Sequence, residues 1–144
     1  MKTFSLDEAQ SLLPVLESLL KRAIEGKKFA EEKEAKLQEL RQRIFLSGGM
    51  QVNVLSATRQ RAEVDRFVQQ AKDAVAEIDA IGVQVKDLDT GLLDFPFVIN
   101  GEIVLLCWKM GESRIDYWHT VDAGFRGRQP LDERFGRSKP ERPN

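Results

Sequence analysis

The sequence predicts an α+β chain in which a long antiparallel helical hairpin, with a short N-terminal helix, packs on a four-stranded antiparallel β-meander. Three observations carry this. Apolar residues recur at spacings of three and four up to Ile81, the period falls to two after Gly82, and glycine-containing turns cut the second half into short segments.

Ser5-Leu-Asp-Glu8 has the form of a capping box, in which a hydroxyl and a carboxylate take the backbone N–H groups that a first helical turn leaves unpaired. A short helix is expected to start there. Pro14 lacks an N–H and disfavours helical angles at Leu13, so a bend over Leu12 to Pro14 and a second, longer helix are expected. Leu16, Leu20, Ala23 and Ile24, then Leu37, Leu40 and Ile44, stack on one face of that helix, while Gly26 to Lys36 is nearly all charge. Ser47-Gly-Gly49 ends it. From about Val54 to Ile81, Val64, Phe67, Val68, Ala71, Val75, Ile78 and Ile81 repeat at helical period, with Gly82 as the C-terminal cap. The charged middle of the hairpin suits either a solvated arm or an interface to a partner helix.

Strands are expected over Val83 to Leu88, Leu92 to Ile99, Glu102 to Lys109 and Arg114 to Thr120. Asp89-Thr-Gly91, Asn100-Gly101 and Gly111-Glu112 supply the three hairpin turns. Turns fix register, and register fixes faces. With Ile99 opposite Glu102 and Met110 opposite Ser113, one face holds Leu93, Phe95, Phe97, Val104, Leu106, Trp108, Ile115, Tyr117 and His119 and should cover the helices. The other holds Asp94, Pro96, Val98, Ile103, Leu105, Cys107, Arg114, Asp116 and Trp118. On it, Ile103, Leu105 and Trp118 form an apolar strip that suits a partner.

At 144 residues the chain is long enough for one domain over 1–144, with a helical hairpin over 1–82, a meander over 83–121 and a loosely ordered basic tail over 122–144. The 22 Lys and Arg nearly balance 23 Asp and Glu, so no overall field favours nucleic acid or anionic lipid. No apolar run approaches a membrane span, the start MKTFSLDEAQ has no secretory h-region, and a lone Cys107 cannot close an intramolecular disulfide. A cytoplasmic chain is expected.

One cysteine and one histidine build no zinc site without several carboxylates, and Ser47-Gly-Gly49 is no phosphate loop, so neither metal nor cofactor is expected. No catalytic motif is present, and whether the chain is an enzyme stays open. The binding candidates are Lys86, Asp87 and Asp94 around the first hairpin, Glu112, Trp118 and His119 at the last strand, and Arg126 and Arg128 in Gly124-Phe-Arg-Gly-Arg128. His119 suits a general base paired with Asp87, Asp122 or Glu112, or a hydrogen-bonded core residue. Cys107 suits packing, because in this register it lies next to Asp116, and a nearby carboxylate raises a thiol's pKa.

Phe4-Ser-Leu-Asp-Glu-Ala9, Leu12-Leu-Pro14, Gly82 to Gly91, Asp94-Phe-Pro96, Leu106-Cys-Trp108, Gly111-Glu112, Trp118-His119 and Gly124-Phe-Arg-Gly-Arg128 together resemble the small prokaryotic family known as domain of unknown function 2203. The resemblance spans nearly the whole chain. It implies a bacterial cytoplasmic protein and carries over no activity and no site residue. The leading expectation is an interaction or regulatory module, a homodimer or the partner of another protein, associating through the arm or the apolar strip. The alternatives are a small enzyme or ligand-binding protein with a carboxylate and histidine site on the meander, and RNA contact through the Arg-rich tail.

Overall fold

The structure, a computed structural model, describes residues 1–48 and 51–136. Two helices, α1 (Leu6–Leu46) and α2 (Gln51–Ile81), precede strands β1 (Gln84–Asp87), β2 (Leu92–Ile99), β3 (Glu102–Lys109), β4 (Tyr117–Thr120) and β5 (Gln129–Pro130). Single 3₁₀ turns occupy Phe125–Gly127 and Glu133–Phe135. The chain divides into two compact units, one of residues 1–20 with 77 onward, the other of residues 21–76.

The capping box forms as the spacing predicts: Ser5 N–H donates to Glu8 Oε1 at 2.9 Å and Glu8 N–H to Ser5 Oγ at 3.1 Å. The expected break at Pro14 does not occur, because α1 runs through it as one helix. Pro14 is exposed, so its ring meets solvent, while Leu13, Leu16, Leu19 and Leu20 around it are buried in one core. That packing outweighs the one backbone hydrogen bond the proline forfeits.

In the unit of residues 1–20 and 77 onward, the sheet is antiparallel in the order β1-β2-β3-β4-β5, five strands rather than four. Asn100 and Gly101 have φ of 50° and 82°, as a type I′ turn requires, and Ile99 pairs with Glu102 as expected. Leu93, Phe95, Val104, Leu106 and Trp108 therefore face the helix segments, in one core with Leu16, Leu20 and Ile78. No helix among the described residues is long and apolar enough to cross a membrane.

The β3–β4 connection departs from expectation. Gly111-Glu112 is not a two-residue loop, and β4 begins at Tyr117, not Arg114. Glu112 draws the chain out of the ladder: its carbonyl accepts from Trp108 Nε1 at 3.0 Å and its carboxylate from Lys109 N–H at 2.9 Å. Ile115 then turns into the core, its N–H held by Gln10 Oε1 at 3.0 Å. When the ladder resumes, Leu106 meets Trp118, and Cys107 meets Tyr117. The register is one residue off the expected one, which exchanges the two faces of β4. Trp118 points into the core, whereas Tyr117 and His119 stand on the outer face. With Trp118 turned away and Leu105 buried, the expected Ile103, Leu105, Trp118 strip does not exist.

Within the described residues, the segment after β4 carries a short strand and a buried aromatic. Gln129 and Pro130 pair with Trp118 and Tyr117 as β5, and Phe135 is buried against Trp118 and Phe97 at ring distances of 5.3 and 5.0 Å. One aromatic anchor suffices to fix a short segment across a sheet edge.

In the unit of residues 21–76 the two helices form an antiparallel pair. Ala30, Leu37 and Val64 are buried together with Phe67 and Val68 beside them. Charges flanking this seam pair across it, Lys33 with Glu63 at 3.3 Å and Arg61 with Glu34 at 3.1 Å. A Cβ at Gly26 would lie 2.8 Å from the Phe67 carbonyl, so the backbones approach there as only glycine permits. Gly48, with φ of 84°, closes α1; Gly49 and the tail beyond Gly136 lie outside the described residues.

Candidate functional site

The outer face of the meander brings three chemically active side chains together. Asp94 on β2 stands opposite Cys107 on β3, and His119 on β4 stands opposite Leu105, two residues from Cys107 on the same face. Asp94 is 1 % exposed, His119 2 %, and Cys107 fully buried. One ligand-capable atom from each, an Asp94 oxygen, the Cys107 sulfur and a His119 ring nitrogen, all lie within 4.8 Å of one another.

His119 is held at both nitrogens. Nδ1 lies 2.7 Å from the Thr120 carbonyl, and since a carbonyl oxygen only accepts, Nδ1 carries the hydrogen and donates it. Nε2 faces the Asp94 carboxylate at 3.1 and 3.2 Å from its two oxygens. Burial pushes the Asp94 carboxyl above the usual carboxylate range, against the opposing pull of His119. Burial, and after it the Asp94 charge, push the Cys107 thiol up to about 12. A resting thiolate nucleophile is thereby disfavoured. The carboxylate responsible is Asp94 across the strand pair rather than Asp116, which pairs with Arg114 at 2.9 Å near the surface.

Above this cluster lies the segment after β4. Arg128 stacks between the rings of Tyr117 and Phe125, 4.1 and 4.4 Å from their centroids, and binds Glu112 through both terminal nitrogens at 3.3 and 2.7 Å. Planar stacking with bidentate pairing is guanidinium chemistry that lysine does not reproduce. Arg128 also reaches the Cys107 thiol, so it covers the cluster as well as pinning the turn.

Beside the cluster, where β2 begins and β3 ends, a cavity of about 350 Å³ is lined by Asp87, Thr90, Leu92, Lys109, Ala123, Phe125 and Arg126. Leu92 and Lys109 share the face of Asp94 and Cys107, Leu92 two residues before Asp94 and Lys109 two residues after Cys107. Lys109 Nζ lies 5.9 Å from the Phe125 ring centroid.

Of the residues singled out from sequence, the fold unites Asp94 with His119, Glu112 with Arg128, and Asp87 with Arg126. Lys86 is exposed on β1 near enough to Asp94 to favour its charge. Trp118 is not in the site; it belongs to the opposite face, where its buried Nε1 has no hydrogen-bond partner among the described residues. The partner of His119 is Asp94 rather than Asp87, Asp122 or Glu112. Sequence reasoning missed Cys107 as a member of the cluster, and Lys109, Thr90 and Phe125 as cavity walls. Period-two counting along β2 and β3 does place Asp94, Cys107 and Lys109 on one face; only the length of the β3–β4 loop hid that His119 joins them.

A chain with two long helices, an antiparallel sheet and a buried Asp–Cys–His cluster is thus defined by its own geometry. It belongs to the family described as "Uncharacterized conserved protein (DUF2203)", whose model matches residues 2–131. No curated protein and no solved structure matches the chain.

Proposed function

We propose that the chain is a binding module for a small anionic ligand, a carboxylate or a phosphate, held in the cavity beside the Asp94 cluster. The observation that carries this is the convergence of two cations, Lys109 and Arg126, on a concave site with an aromatic wall, neither of them in an ion pair among the described residues. Its volume, about 350 Å³, is that of a small-molecule site. Lys109 and Arg126 would bind the anion, Phe125 would cover a planar portion of it, and the Thr90 hydroxyl would donate to it. Asp87 on the same wall selects against a second negative group at that end.

A titration with inorganic phosphate, pyrophosphate and a set of small mono- and dicarboxylates, followed by amide chemical shifts, tests this reading. Saturable shifts confined to residues 87–92, 109 and 123–126 are expected with at least one probe. Arg126→Gln should weaken binding about 10-fold, as expected for one charge-assisted hydrogen bond, and leave the melting temperature unchanged because Arg126 is exposed. Equal binding by Arg126→Gln and Lys109→Gln, or no saturable shift with any probe, rejects it.

A second reading, self-association through the helical arm, is favoured by Phe45 and Leu46, each 78 % exposed, with Val54 and Leu55 also exposed. The occupant proposed is the arm of a second copy laid antiparallel. Exposed Arg41 and Arg43 near the end of α1 would then meet exposed Glu31 and Glu32 of the other arm. Sedimentation equilibrium should give a dimer for the native chain and a monomer for Phe45→Ser with Leu46→Ser. A native monomer at high concentration removes this reading.

A further inference from the structure

We propose that Asp94, Cys107 and His119 form a binding site for a divalent transition ion of the Zn²⁺ type, separate from the anion cavity. Three features of the outer face point to it. First, the three side chains come from three neighbouring strands and present an oxygen, a sulfur and a nitrogen within 4.8 Å of one another, all buried. This is the mixed hard and soft ligand set that a borderline ion selects.

Second, the histidine is prepared as a ligand. Its Nδ1–H is spent on the Thr120 carbonyl, the outer-shell contact that fixes tautomer and ring angle in metal-bound histidines. Nε2 is left facing both oxygens of Asp94 at nearly equal distances. In the neutral ring a lone pair is aimed at a carboxylate, and two acceptors face one another unless something positive lies between them. A shared proton can fill that role; so can a cation.

Third, the spacing fits. Bond lengths of about 2.0–2.3 Å to nitrogen, oxygen and sulfur around a tetrahedral ion set the ligand atoms about 3.3–3.8 Å apart. The observed His119 to Asp94 separation of 3.1 Å is already close to that range, and closing the widest gap, up to 4.8 Å, needs side-chain shifts of about 1–1.5 Å. With three protein ligands, a fourth position stays for water. Binding replaces the thiol hydrogen and any proton shared by Asp94 and His119, so the ion releases protons as it enters. The Arg128 guanidinium beside the sulfur offsets some of the negative charge that the thiolate and the carboxylate bring together.

The test uses the full chain, stripped with a chelator and titrated with Co²⁺. The expected result is one ion per chain, visible tetrahedral d–d bands, a near-ultraviolet thiolate-to-cobalt charge-transfer band, and displacement by Zn²⁺. Cys107→Ser should abolish the charge-transfer band, and His119→Gln should weaken binding by more than the 10- to 100-fold that losing an outer-shell partner costs. Absence of stoichiometric uptake by the native chain overturns the proposal. So does uptake without a thiolate band, or uptake that Cys107→Ser leaves unchanged. Because the native spectrum alone decides, a variant that fails to fold does not shelter the idea. The anion titration above, repeated on the stripped chain, keeps the two sites apart, since Lys109 and Arg126 do not touch the ion.

Discussion

Replacing Trp108 by alanine is expected to cost about 3–5 kcal/mol of unfolding free energy, close to half of what a domain of this size commonly possesses. Trp108 is 1 % exposed and lies in the core between sheet and helices, and its Nε1 donates to the Glu112 carbonyl at 3.0 Å. The substitution therefore opens a cavity and releases the turn that draws residues 110–116 out of the ladder. Guanidinium denaturation followed by far-ultraviolet circular dichroism measures it. Trp118→Phe provides the contrast. It retains an aromatic ring against Phe135 while removing a buried N–H that has no partner, so it should cost less than about 1.5 kcal/mol. A Trp108→Ala loss below that of Trp118→Phe would mean that Trp108 does not anchor the core.

How much of this was readable beforehand depends on which physical signal was local. The capping box, the two long helices, the type I′ turn at Asn100 and Gly101, and the inward side of β2 and β3 follow from short-range rules, and the structure has them all. Pro14 misleads because its local cost is real but smaller than the burial of Leu13, Leu16 and Leu20 around it. The β4 register misleads for a different reason. Gly111-Glu112 has the composition of a tight turn, yet Glu112 bonds Trp108 and Lys109 while Gln10, more than 100 residues earlier, takes the Ile115 N–H. No local count contains a hydrogen bond of that separation. A shift of one residue then moved His119 from the core face to the side of Asp94 and Cys107, so the candidate site was legible residue by residue but not as a cluster. Likewise, Phe135 lies in a segment whose composition suits a solvated tail, and only tertiary contact with Trp118 and Phe97 orders it.

Raising the pH from 9 to 12 should strip roughly 3 kcal/mol of stability from the metal-free chain through one side chain, Cys107. Its thiol has an ordinary value of 9.0 and is pushed to about 12 by burial and by Asp94. Because the folded value is the higher one, the contribution is fully present below pH 9. Between the two values the unfolded chain has lost the proton while the folded chain retains it. Folding then binds a proton, and stability falls by roughly 1.36 kcal/mol per pH unit until the folded thiol itself ionises. Thermal unfolding at pH 8, 9, 10 and 11 follows the decline. The decisive quantity is the difference from Cys107→Ala, whose curve should be flatter by up to that slope. Parallel curves for the two chains would mean that Cys107 keeps an ordinary value, and that Asp94 and the surrounding apolar face do not act on it. A tightly bound Zn²⁺-type ion would remove the slope by a different route: it holds the sulfur as thiolate in the folded state, so folding no longer takes up a proton there. The same pH series with and without the ion therefore links the buried thiol's chemistry to the occupant of the cluster.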